Sequence, residues 1–153
     1  MRVWRICRRE RAGDPLGGRG GLHASGRWHE RGARIVYTSA TLSLAALEML
    51  VHADRDLLPA DLVQIEIEVP VDLQIERIEI RDLPSTWRHY PGPQALRRLG
   101  MGWIDRRRTA VLRVPSAVIP AEHNYLLNPL HDAMRRIRVA GRRRFVLDLR
   151  LAP

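Results

Sequence analysis

One carboxylate stands in the most apolar stretch of the chain: between Leu42 and Val51, Glu48 is the only charged side chain. A carboxylate in such surroundings must find a partner or lose its charge. Two placements fit the pattern. Glu48 can face water on a helix flank, or an arginine can hold it at the edge of a cleft, where it would stabilise positive charge or position a nucleophile. Arg27 lies in Ser25-Gly26-Arg27-Trp28-His29, where Gly26 can let the backbone turn sharply and Trp28 can pin the loop to the core. A guanidinium immobilised in this way grips phosphate oxygens in a bidentate fork and suits a pyrophosphate clamp. With 26 arginines in the chain, the ordinary alternative for any one of them is a solvated surface. Arg5 has a better claim, because it interrupts the apolar run from Val3 to Cys7.

Tyr37 ends a β-rich run just before the apolar helix, so its ring can flank a cleft or pack in the core. Ser116 follows Pro115 at a strand end, where its hydroxyl can bond an amide ligand or serve the turn. Asn124 and Asn128 read as loop residues on pattern alone. Several sharper motifs are missing. Gly13 to Gly18 has P-loop spacing but is followed by Arg19-Gly20, and no G-x-G-x-x-G opens a helix after a strand. The histidines at 23, 29, 52, 89, 123 and 131 form neither a helical i, i+4 pair nor a carboxylate-spaced metal set, so no metal is expected.

The elements that must position these residues can be read from periodicity. Val3 to Cys7 and Arg34 to Thr38 read as strands, separated by a long Gly- and Arg-rich loop over 8–33. Such a loop is either functional or a flexible lead-in. Ser39 or Thr41 can cap a helix whose apolar residues Leu42, Ala45, Ala46, Met49 and Leu50 share one face, ending between His52 and Asp56 before Pro59. Val63 to Val69 alternates apolar and polar residues as a strand with one wet face. A further strand is expected from Ile75 to Ile80, although Ile75 and Ile78 disagree in parity and imply a bulge or a late start. Residues 82–93 read as a loop with aromatic anchors, followed by a helical turn or two through Ala95 to Leu99. Thr109 to Val114 reads as a strand, 120–129 as an irregular segment, and Arg136–Ala140 with Phe145–Leu151 as a hairpin around Gly141. The sum is α+β, a compact mainly antiparallel sheet with flanking helices.

A chain of 153 residues, 45% hydrophobic and 28% charged, suits a single domain over 1–153 with its core at about 3–150. The apolar stretch at Leu42–Val51 is too short to span a bilayer and the N-terminus lacks a signal-peptide pattern, so no membrane is expected. Cys7 is the only cysteine, which excludes internal disulfides and zinc fingers and fits a reducing cytoplasm. The net charge of +9 comes entirely from arginine, with no lysine. A lysine-free composition points to codon bias, so charge alone argues only weakly for nucleic acid. Basic ends flank an acidic middle, a surface equally suited to an anionic small molecule or an acidic protein segment.

Taken in order, these pieces resemble the RES-domain family, toxins of bacterial toxin–antitoxin pairs. Trp4-Arg5-Ile6 resembles the family's opening strand, Ser25-Gly26-Arg27-Trp28-His29 with Gly32 its Gly-Gly-Arg-Trp-Asn loop, and Ile35 to Ser39 its next strand. Ala45-Ala46-Leu47-Glu48 resembles its glutamate helix. Leu83-Pro84 with Trp87 resembles its middle loop, and Val114-Pro115-Ser116 with Asn124 and Asn128-Pro129 its C-terminal half. Ser25 stands where the family has glycine and His29 where it has asparagine.

The resemblance implies an ADP-ribosyltransferase-like fold and cleavage of the nicotinamide–ribose bond of NAD, by phosphorolysis or hydrolysis or by transfer to a protein. It implies Glu48, Arg27 and Tyr37 as catalytic residues, and Arg5, Arg27, Tyr37, Ser116 and Asn124 as NAD-binding residues, with Tyr37 stacked on nicotinamide and Ser116 bonded to its amide or to ribose. NAD would be substrate rather than cofactor, with inorganic phosphate a possible co-substrate. An Xre-like antitoxin blocking the NAD site, in an oligomeric complex, is the implied partner. Two other readings stand beside it: an inactive copy kept as an antitoxin-binding scaffold, and a basic nucleic-acid-binding module built on the triplets Arg106–Arg108 and Arg142–Arg144.

Overall fold

The computed structural model describes residues 1–52 and 60–151, so of the helix end expected between His52 and Asp56, before Pro59, the part from residue 53 on lies outside the described residues. Among the described residues, seven strands and two α-helices follow one another as β1 (Arg2–Arg8), β2 (Val36–Ser39), α1 (Leu42–His52), β3 (Leu62–Glu68), β4 (Ile75–Arg77), α2 (Gln94–Arg106), β5 (Val111–Pro115), β6 (His123–Leu127) and β7 (Arg138–Arg144). The strands form one sheet in the order β4-β5-β6-β2-β1-β3-β7. Every pairing is antiparallel except β4 with β5. This is the expected α+β class with a mainly antiparallel sheet. Among the described residues no helix is long and apolar enough to cross a membrane.

The sheet buries both faces, which explains where simple alternation fails as a guide. Val3, Val36, Ile65, Ile67, Val111 and Leu127 pack on one face. Leu112, Val114 and Leu126 pack on the other with Trp28, Trp87 and the α2 residues Leu96, Trp103 and Ile104. Neighbours such as Leu126 and Leu127 therefore point to opposite cores, as strand geometry requires. The expected irregular segment at 120–129 accordingly contains β6, a strand whose two-sided burial removes the polar beat. Ile75 and Ile78 disagree in parity for the same reason: Ile75 joins the first core and Ile78 the second. The strand itself stops at Arg77, short of the expected Ile80, and Ile80–Asp82 form a single 3-10 turn.

Three further expectations need correction. The helix expected over Ala95–Leu99 runs on to Arg106, through Gly100 and Gly102. The hairpin expected around Gly141 is one continuous strand, β7, paired with β3; Gly141 lies opposite Glu66 and Val139 opposite Ile67, so Ala140 is the extra residue of a bulge. Of the aromatic anchors in 82–93, Trp87 is buried but Tyr90 is 82% exposed. Of the arginine triplets, Arg106–Arg108 close the C-terminus of α2, where cations complement the helix dipole, and Arg142–Arg144 lie on β7.

One feature of the sheet creates the site. β1 pairs with β3 along its whole length, but with β2 it shares one bridge, Trp4 opposite Ser39. Beyond that bridge the two central strands part, and the Arg5 guanidinium bridges the gap by donating Nη1–H to the Tyr37 carbonyl at 3.2 Å.

Candidate functional site

A cleft of about 680 Å³ opens at this parting of the strands, within the roughly 300–1,000 Å³ typical of small-molecule sites. Its walls come from β1, β2, the loop over Ser25–Trp28, α1, and the ends of β5 and β6. Arg5, Arg8, Arg11 and Arg27 line it, and among the described residues Glu48 is its one carboxylate. Among the described residues, no group of three His, Cys, Asp or Glu side chains is placed to hold a metal ion.

Glu48 is fixed by its neighbours. Thr41, rather than Ser39, caps α1, its Oγ1 accepting the Leu44 amide at 3.1 Å. The helix then carries Glu48 to the cleft, where Oε1 accepts from Ser116 Oγ at 2.7 Å and from Asn124 Nδ2 at 2.5 Å. Ser39 Oγ in turn donates to Asn124 Oδ1 at 2.8 Å. Ser116 Oγ itself accepts the amides of Val118 and Ile119, at 3.1 and 3.0 Å, so its one proton is committed to the carboxylate. Ser116 is fully buried and is absent from the cleft lining. Ser116 contacts Glu48 from behind the cleft.

Arg27 is pinned from the other side. Its Nη1 donates to the carbonyls of Trp87 at 2.6 Å and His89 at 3.1 Å. Burial lowers its pKa, while Glu48 and Tyr37 act in the opposite direction. Trp28 holds the loop as expected, 2% exposed among Trp87, Leu96 and Trp103. Gly26 serves close approach rather than a sharp turn, for a Cβ there would lie 2.6 Å from His29 Cε1 and 2.7 Å from the Tyr37 hydroxyl. A Cβ on Gly100 would lie 1.9 Å from the Trp28 carbonyl oxygen, so α2 and the Arg27 loop touch backbone to backbone.

Tyr37 both lines the cleft and packs in the core. Its hydroxyl accepts the Trp28 amide at 3.1 Å and lies 2.9 Å from His29 Nδ1. His29 Nε2 is 3.0 Å from the Ala24 carbonyl, which can only accept. Nε2 therefore carries the ring proton and Nδ1 accepts from Tyr37. Burial pushes the tyrosine pKa up and the histidine pKa down, and both stay neutral in this network. Arg5 is enclosed, which lowers its pKa, and its Nε is buried without a hydrogen-bond partner among the described residues.

The structure thus brings Arg5, Arg27, Tyr37, Glu48 and Asn124 to one cleft and sets Ser116 directly behind Glu48. Sequence reasoning missed three contributors. Ser39 orients Asn124. Gly100 admits the Arg27 loop. Arg97 on α2 donates Nε–H to the Gly26 carbonyl at 3.3 Å and Nη2–H to the Gly92 carbonyl at 3.5 Å, tying together the two loops that hold Arg27. Only the i, i+3 spacing of Arg97 and Gly100 on one helix face hinted at this. Asn128 is a structural residue, fully buried, with Nδ2 donating to the Ile104 carbonyl.

Comparison with known proteins places the chain in a family. Residues 2–148 match the RES domain. The chain is 36% identical over 153 residues to the Prs ADP-ribosylating toxin of Sphingobium sp. (strain YBL2), covering 97% of this chain and 94% of that protein. It is 34% identical over 152 residues to Toxin Res of Photorhabdus laumondii subsp. laumondii, covering 99% and 97%. In the crystal structure of the M. tuberculosis MbcT–MbcA toxin–antitoxin complex, one chain shares the fold with a TM-score of 0.76 at 14% identity, over 95% of this chain and 84% of that one. The ADP-ribosyltransferase-like architecture expected from the sequence is the fold of that neighbour. On the match across nearly its whole length and on the identity to these relatives, the chain belongs to the RES domain family.

Proposed function

We propose that this chain is the NAD-degrading toxin of a toxin–antitoxin pair, acting in the cytoplasm by cleaving the nicotinamide–ribose bond. The observation that carries this reading is the Glu48 carboxylate, anchored by Ser116 and Asn124, in the same cleft as the Arg27 and Arg5 guanidiniums. Nicotinamide leaves with the electron pair of the C1″–N bond, which neutralises its ring cation, and the ribose passes through an oxocarbenium-like state. A fixed carboxylate stabilises that positive charge and orients the incoming nucleophile. Arg27 and Arg5 take the pyrophosphate; for Arg5, an anion also relieves the cost of an enclosed guanidinium with an unpaired Nε. The Tyr37 hydroxyl is engaged by Trp28 and His29, which leaves its ring to flank nicotinamide.

NAD is consumed as a substrate, and the cleft residues need no further cofactor for this step. Four lining arginines favour a phosphate acceptor, giving ADP-ribose-1″-phosphate, with water as the competing acceptor. A protein acceptor is the second reading, supported by the name of the Sphingobium relative. The MbcT–MbcA neighbour supports an antitoxin partner for this chain; we assign it as an Xre-like protein that blocks the NAD cleft within an oligomeric complex. Incubation with NAD tests the reaction and its acceptor together. Nicotinamide release is expected, with ADP-ribose-1″-phosphate forming only when phosphate is supplied; label transferred to protein would select the second reading. Absence of nicotinamide release under every acceptor condition would overturn the proposal.

A further inference from the structure

The cleft is longer than bond cleavage requires. Its reacting end is marked by Trp4, opposite Ser39, whose hydroxyl bonds Asn124 beside Glu48. From Trp4, β1 runs along the wall through Arg5 to Arg8, about 13 Å at 3.3 Å per residue, and every residue of that run lines the cleft. Beyond Arg5 the lining on this side includes Cys7, Arg8, Arg11 and Leu62. With the nicotinamide end at Glu48 and the pyrophosphate at Arg27 and Arg5, this stretch is left for the adenosine end.

Two features decide what that end can carry. The first is positive charge on a fixed backbone. Arg8 closes β1 opposite Leu62. Arg11 ends the 3-10 turn Arg9–Arg11, which is held on both sides: the Arg9 amide donates to the Asp61 carbonyl at 2.9 Å, and Arg142 Nε donates to the Ala12 carbonyl at 3.0 Å. Among the described residues Arg8 makes no ion pair, and Arg11 pairs with its chain neighbour Glu10 alone, at 3.8 Å on the exposed surface. The second feature concerns carboxylates. A ribose 2′-hydroxyl is selected by a carboxylate that accepts its proton, whereas a 2′-phosphate is selected by arginine. Among the described residues Glu48 is the one lining carboxylate, and Ser116 and Asn124 hold it at the reacting end. The charge at the Arg8 end therefore favours phosphate over hydroxyl.

We infer that Arg8 and Arg11 form a phosphate subsite at the adenosine end, so that the cleft takes the 2′-phosphorylated dinucleotide NADP at least as well as NAD. This inference rests on the NAD reading and widens its substrate class. A phosphate monoester carries close to two negative charges at neutral pH, and guanidinium forks pair with its oxygens through charge-assisted hydrogen bonds. The reaction itself is unchanged: nicotinamide leaves C1″ with the electron pair of the broken bond, the acceptor forms the new bond there, and the 2′-phosphate stays on the ADP-ribosyl product.

The test is steady-state nicotinamide release from NAD and from NADP by wild type, Arg8→Ala, Arg11→Ala and Arg8→Lys. The readout is the ratio of kcat/KM for NADP to that for NAD, in which any effect of a substitution common to both substrates cancels. Wild type should give a ratio of one or more. Arg8→Ala should lower it about tenfold, the scale of one charge-assisted hydrogen bond, through KM for NADP; Arg11→Ala should lower it too, and Arg8→Lys should recover part of the loss by restoring charge without the fork. The wild-type ratio should also fall with added salt, because the extra pairing is between exposed charges. A wild-type ratio below one, or a ratio that neither alanine variant lowers, overturns the subsite and leaves the NAD reading standing. Release from neither dinucleotide overturns the NAD reading; calorimetric binding of adenosine 2′,5′-bisphosphate against AMP then decides the subsite by itself, and equal affinity overturns it.

Discussion

Ser116 Oγ donates to Glu48 Oε1 at 2.7 Å, joining the end of β5 to the middle of α1 across 68 residues of chain. The direction of this bond is forced, because the amides of Val118 and Ile119 both donate to the same oxygen and leave its proton for the carboxylate. A turn at the strand end thereby becomes a support for the Glu48 carboxylate in the cleft. The carboxylate is held before any substrate arrives, which is the preorganisation that electrostatic catalysis requires.

Glu48→Gln keeps the shape of the side chain and an oxygen that can accept from Ser116 and Asn124, but removes the charge. Nicotinamide release should fall at least about a hundredfold, by analogy with loss of one preorganised electrostatic partner, while the melting temperature stays near that of wild type. Parallel activity and thermal-unfolding measurements check this. Loss of stability in step with activity would make Glu48 structural instead.

Ser116→Ala should act on both quantities. Two part-buried amides lose their acceptor, a cost of at most about 1–3 kcal/mol each, and Glu48 loses one of its two anchors. Urea unfolding should show clear destabilisation, and turnover should drop while remaining above that of Glu48→Gln. Turnover at the wild-type level would show that Asn124 alone suffices to hold the carboxylate.

Much of this site was legible because its residues contradict their surroundings. Glu48 interrupts an apolar helix, Arg5 interrupts an apolar strand, and Arg27 lies between a glycine and a tryptophan that restrict its loop. What escaped the sequence depends on contacts between distant segments. The Ser116 hydroxyl looked equally fit for a ligand until Val118 and Ile119 fixed its direction. β6 was hidden because Leu126 and Leu127 serve opposite cores. Glycine misled twice: Gly141 accommodates a bulge opposite Glu66 rather than a turn, and Gly100 lies inside a helix because another backbone rests on it.

That backbone contact gives a third prediction. In Gly100→Ala the new methyl would overlap the Trp28 carbonyl oxygen, so either α2 or the Arg27 loop must move. Overpacking of this kind costs about 1–3 kcal/mol, and a shifted loop pulls Arg27 away from the Trp87 and His89 carbonyls. The variant should unfold at lower denaturant concentration and show a raised KM for NAD. A compensating pair is not available here, since the clash is with main chain, so full activity in Gly100→Ala would contradict the close packing described.

The neutral His29 ring links stability to acid. Burial lowers its pKa below the ordinary value of 6.5, so on acidification the unfolded chain takes up the proton first. Unfolding then binds more protons than the native state, and stability must fall as pH drops below about 6.5, until the native ring is itself protonated. Protonation would also reverse the Nδ1–Tyr37 bond, with Nδ1–H donating to the hydroxyl oxygen and the tyrosine proton losing its present acceptor. His123 is lowered in the same direction, chiefly by burial and then by Arg113, and contributes to the same slope. Melting temperature measured from pH 7.5 to 5 should therefore decline in wild type and decline less steeply in His29→Asn, which leaves His123 in place. Equal slopes in the two proteins would show that His29 is protonated with the same ease folded and unfolded.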